Sequence, residues 1–75
     1  QYSEKSLLSD CITHISNFFT EHLPERAIEM ILIFEGIGSL HELENNLPGY
    51  EKMISYLGDP AHQHLKTLRQ RISRA

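Results

Sequence analysis

Apolar residues along this chain recur every three or four positions, the spacing that lines one side of an α-helix. Leu7, Leu8, Cys11, Ile12, Ile15, Phe18 and Phe19 fall on one broad face of a helix over 4–22, with Ser3 placed to cap it. Pro24 ends that helix, because the residue before a proline is pushed out of the α region, and it suits the first turn of the next. A second helix is expected over 24–35, with Ala27, Ile28, Ile31 and Leu32 facing inward. Met30, Ile33 and Phe34 widen that stripe until the helix is apolar almost all round. Such a helix is either central or offers a second face to a partner. A strand over 30–34 is the alternative, disfavoured because no neighbouring segment resembles a pairing strand.

Gly36-Ile37-Gly38 stops the second helix. Ser39-Leu40-His41-Glu42 then reads as a capping box, in which the Ser39 oxygen accepts from the Glu42 amide while the Glu42 carboxylate reaches back. The third helix is expected to end near residue 46, because Pro48-Gly49 is a strong breaker. Tyr50, Met53, Ile54 and Leu57 mark a fourth helix with Gly58 just past its end. Asp59-Pro60 reads as an N-cap followed by proline in the first turn. A fifth helix follows, carrying Ala61, Leu65, Leu68 and Ile72 inward. The pattern predicts an all-α fold, a compact array of about five short helices in one domain over 1–75. Its expected core includes Ile15, Phe18, Ile31, Leu32, Ile54, Leu57, Leu65 and Leu68.

Size and charge sharpen this picture. A chain of 75 residues buries only roughly 60–65% of its unfolded surface, so its stability margin is small and a partner can complete the core. Residues 1–59 hold ten acids and three bases, net −7, whereas residues 60–75 hold four bases and no acid. That asymmetry fits an anionic partner or a self-complementary contact, or else a solvated C-terminal helix whose cations suit the helix dipole. The single cysteine, Cys11, rules out an intrachain disulfide and favours a reducing compartment. The longest apolar run, Met30 to Phe34, is too short for a membrane span, and no signal peptide is visible. An intracellular domain, nuclear or cytoplasmic, is expected, and the start at Gln1 suggests a fragment of a longer protein.

His62 and His64 sit two apart, about 200° around a helix, and so do not share one ion; the other three histidines, His14, His22 and His41, are read as scattered. No spacing matches a zinc site, and no metal or cofactor is expected. Cys11, on an apolar face, reads as a small hydrophobe rather than a nucleophile. Gly36-Ile37-Gly38 has the form of a turn whose amides face a phosphate. Its simpler reading is a helix stop followed by a lead-in to the Ser39 cap, and Glu35 beside it repels phosphate.

The order of elements resembles a tandem helix-hairpin-helix domain. The most similar stretch runs from Ser39-Leu40-His41-Glu42-Leu43 through Ile54-Ser55-Tyr56-Leu57-Gly58 to Leu65-Lys66-Thr67-Leu68. It is similar to the C-terminal domains of the XPF-type structure-specific nucleases and their non-catalytic partners. The resemblance implies two helix–hairpin–helix units joined by a connector helix over 39–46, and a role in DNA repair. Neither hairpin here carries that family's Gly-apolar-Gly phosphate clamp: the first reads Thr20-Glu21-His22-Leu23-Pro24, and the second has only Gly58 followed by Asp59. In that family such hairpins go with pairing to a second domain. The expected function is therefore a non-catalytic interaction domain that forms a homo- or heterodimer through Met30, Ile33 and Phe34. Weak DNA contact is expected through Lys66, Arg71 and Arg74 of the C-terminal helix. The alternatives are the dimerisation or DNA-binding domain of a small transcription regulator, and a pure protein-docking module. Neither a membrane nor a small-molecule substrate is expected.

Overall fold

A computed structural model describes residues 3–74. The first helix, α1 (Glu4–His22), matches the expected span, and the Ser3 hydroxyl accepts from the Ser6 amide as its cap. A single 3₁₀ turn at Pro24–Arg26 leads into α2 (Ala27–Glu35). Half of the expected capping box forms at the start of α3 (Leu40–Ile54): Ser39 Oγ accepts from the Glu42 amide at 3.1 Å, whereas the Glu42 carboxylate reaches back past Ser39 to the Gly38 amide. A second 3₁₀ turn, Ser55–Leu57, precedes α4 (Asp59–Ser73). No helix among the described residues is long and apolar enough to cross a membrane.

The all-helical expectation holds, but the count is four α-helices among the described residues, not five. The expected break at Pro48-Gly49 does not occur, and the connector and fourth helix are one continuous α3. Leu40, Leu43, Leu47, Tyr50 and Ile54 are all buried and keep a 3.6-residue period straight through the proline. Burying such a stripe gains roughly 1.5–3 kcal/mol per large side chain, against about 3 kcal/mol for an interior proline and about 1 for glycine. Pro48 and Gly49 both point to solvent, as does Glu44, whose carbonyl loses its amide partner at the proline.

At the start of α4 the capping residue is Gly58, not Asp59. Gly58 has φ +80°, a left-handed conformation that an L side chain rarely adopts, and its carbonyl accepts from the amides of Ala61 and His62.

α1 packs against the other three helices, and α3 against α4, while α2 and α4 make no close backbone approach to each other. Cys11, Ile15 and Phe19 of α1, Leu43 and Ile54 of α3, and Ala61 and Leu68 of α4 lie at the centre, with no exposure. Of the expected core, Ile15, Phe18, Ile54, Leu65 and Leu68 are buried, whereas Ile31 and Leu57 are only partly so.

α2 is turned from the expected orientation. Ala27, Met30 and Phe34 face the core, and Ile28 and Leu32 face solvent. The spacing of apolar residues alone does not fix the rotation of this helix; Glu25, Glu29 and Glu35, all exposed, flank Ile28 and Leu32 and mark the outward side. The larger Met30 and Phe34 fill the interior, and the Phe34 ring meets Tyr50 edge-on at 5.1 Å.

Candidate functional site

α2 presents the most conspicuous surface of the fold. Ile28 is 78% exposed, Leu32 64% and Ile33 58%. Ile28 and Leu32 stand one turn apart in a row on the side of α2 away from the core, and Ile33 lies about 100° further round. Ile31, partly buried, links this row to a shallow hollow between α1 and α2, where Leu8 and Ile12 form the floor and Lys5 and Glu35 stand at its edge. Glu25, Glu29 and Glu35 are all exposed around the row.

This changes the list of interface residues. Ile33 is at the surface, as expected. Met30 and Phe34 are core residues, and Phe34 is only 4% exposed. A charge at Phe34 attacks the fold rather than a contact surface. Ile28 and Leu32, expected inside, are the exposed pair.

The second surface is α4. Lys66, Arg71 and Arg74 are exposed, and among the described residues none of the three is in a salt bridge. They do not form one compact patch. Lys66 borders α3 beside Glu51 and Arg69, while Arg71 faces α1, close enough to act on His14 and Cys11. Arg69, the fourth cation of the segment, is bound to Glu51 Oε1 at 2.5 Å.

The turn between α2 and α3 is unsuited to phosphate. Glu42 Oε1 accepts from the Gly38 amide at 3.1 Å, and Glu4 Oε2 of α1 lies 3.5 Å from the Leu40 amide. The chain's own carboxylates thus take up the donors at the N-terminus of α3 that an anion requires.

The histidines are less scattered than the sequence implies. His64 is 4% exposed, its ring stacked on Phe18 with centroids 4.1 Å apart and the planes nearly parallel. His14 lies 4.8 Å from His64, and His22 lies 4.6 Å from Phe18. The Tyr50 hydroxyl is hydrogen-bonded to His64 Nε2, while His64 Nδ1 and His14 Nε2 have no hydrogen-bond partner among the described residues. Burial, with His14 and His22 nearby, lowers the His64 pKa to about 4. Burial and then Arg71 lower that of His14, and burial raises that of Tyr50. His64 is therefore a neutral core residue. The signal was present in the spacing: His14, Phe18 and His22 recur at i, i+4 and i+8, and His64 lies three after Ala61 and four before Leu68 on the inward stripe.

Among the described residues no group of three or more His, Cys, Asp or Glu is placed to hold a metal ion. Burial raises the Cys11 pKa, which keeps it a thiol rather than a reactive thiolate. Comparison of the chain with protein-family models, curated proteins and solved structures finds no match.

Proposed function

We propose that this chain is a non-catalytic helical interaction domain that binds a protein partner through the outer face of α2. One observation carries the reading: Ile28 and Leu32 stand exposed in a row beside the hollow between α1 and α2, where Ile31, Leu8 and Ile12 form an apolar strip among polar walls. Single exposed apolar residues are ordinary, but an apolar row that continues into the strip of a neighbouring hollow marks a contact surface. The helix order gives two helix–turn–helix units, α1–α2 and α3–α4, but without the separate connector helix of a tandem helix-hairpin-helix domain, so the reading stands on the α2 surface. Weak DNA contact belongs to α4 through Lys66, Arg71 and Arg74.

Sedimentation of the chain, alone and mixed with candidate partners, tests the reading. Association is expected to vanish in Leu32→Glu and Ile28→Glu while the circular dichroism of the helices is retained. A partner complex that forms equally well with either variant refutes the assignment of α2.

A further inference from the structure

We propose that the α2 face accepts an amphipathic helix from a different protein, one whose aliphatic seam is flanked by lysine and arginine, and that it disfavours a second copy of this chain. The inference rests on the docking role given to α2 and names the chemistry of its partner.

The shape of the surface selects a helix. Ile28 and Leu32 are one turn apart on a ridge, and Ile31, Leu8 and Ile12 line the hollow beside it. A partner helix with apolar residues at i, i+3 or i+4 and i+7 lays its seam along such a ridge and hollow.

The charges around the ridge select the partner. Taking Ile28 as zero at about 100° per residue, Leu32 lies near 40°, Glu29 near 100° and Glu35 near 340°. Glu25 lies just before the first turn on the same side. Three exposed carboxylates thus border the ridge on one flank and at both ends. The cations nearby are Lys5, across the hollow by Glu35, and Arg26, far round the helix from the ridge.

Self-pairing meets this acidic border in both orientations. An antiparallel twofold that sets Ile28 of one copy against Leu32 of the other also sets Glu25 against Glu35. A parallel twofold sets Glu25 against Glu25 and Glu35 against Glu35. Like charges facing one another across an interface suppress that pairing, whereas a basic-flanked helix meets opposite charge at the same places. Nucleic acid and anionic lipid are repelled from this face for the same reason.

The test uses two labelled synthetic peptides with one identical leucine–isoleucine seam, the first flanked by lysine and arginine, the second by glutamate. Each is titrated with the 75-residue chain and followed by fluorescence anisotropy. The basic peptide is expected to bind about tenfold or more tightly than the acidic one, with an affinity that falls as salt rises. Leu32→Glu should abolish binding, and the triple variant Glu25→Lys, Glu29→Lys, Glu35→Lys should reverse the preference with helicity kept. The chain alone should sediment as a monomer. Equal binding of both peptides, lost in Leu32→Glu, overturns the basic partner while leaving the docking face in place. Binding of neither peptide overturns both. A homodimer of the chain that Leu32→Glu dissolves overturns the preference for a different protein.

Discussion

His64 has its ring flat against Phe18 and its Nε2 held by the Tyr50 hydroxyl. Gaining a proton places a charge in the core beside His14 and His22, away from water. The folded-state pKa of about 4 lies below the ordinary value of 6.5. Between those values the unfolded chain binds the proton and the folded chain does not, so stability rises with pH across this window and is lost as pH falls through it. A shift of this size corresponds to about 3 kcal/mol, a large share of the stability of a small domain. His14 is shifted in the same direction and adds to the slope. Urea melts from pH 7 to pH 4 should show the loss, and His64→Leu should flatten most of it. A wild-type midpoint that stays constant over that range contradicts the buried neutral imidazole. Tyr50→Phe leaves His64 Nε2 unpaired and should cost about 1–3 kcal/mol at neutral pH.

Among the elements, α3 carries a penalty that its packing overrides, and the penalty is removable. Gly49 has open space where a Cβ would go, and its φ is not positive. Gly49→Ala should stabilise the protein by about 0.5–1 kcal/mol. Pro48→Ala restores an amide within the helix and should gain more, on the order of 1–3 kcal/mol after the freer unfolded chain is counted. Thermal melts that fall for both variants would mean that α3 is interrupted at this point. In α4, Leu65 is buried on the inward stripe, and Leu65→Ala should cost about 2–5 kcal/mol. A Leu65→Ala variant that melts like the parent refutes the packing of α4.

For the molecule as a whole, the decisive feature is that α2 and α4 lie apart. The acidic ridge and the basic helix do not approach each other, although each packs on α1. A net negative chain can contact an anion only when its cations are segregated in this way. Lys66, Arg71 and Arg74 should give weak binding to duplex or branched DNA at low salt, with a logarithmic salt slope of about −2 to −3 for three phosphate contacts. Reversing all three to Glu should remove the binding with the helices intact. A parent chain that shows no shift, or a triple variant that shifts as before, removes DNA from the function and leaves the protein contact. The same triple variant supplies an internal check: Arg71 helps to hold the His14 pKa down, so Arg71→Glu should raise it.

Local periodicity was enough to determine α1 with its Ser3 cap, the Ser39 side-chain cap of α3, the inward stripe of α4 and the all-helical class, because each depends on residues within a turn or two of one another. The exposed cations of α4 were legible for the same reason. Three features required the folded molecule. The continuity of α3 through Pro48 depends on five side chains finding one core, a gain that no local propensity contains. The rotation of α2 was not legible from its apolar residues, since Met30, Phe34, Ile28 and Leu32 are all apolar; the glutamates beside Ile28 and Leu32 were the local signal, and the folded molecule shows Met30 and Phe34 inside, with Phe34 against Tyr50, and Ile28 and Leu32 outside. The site around His64 joins side chains of α1, α3 and α4. Residues up to 50 positions apart meet there because the helices cross, and spacing along one chain carries no information about which helices will do so.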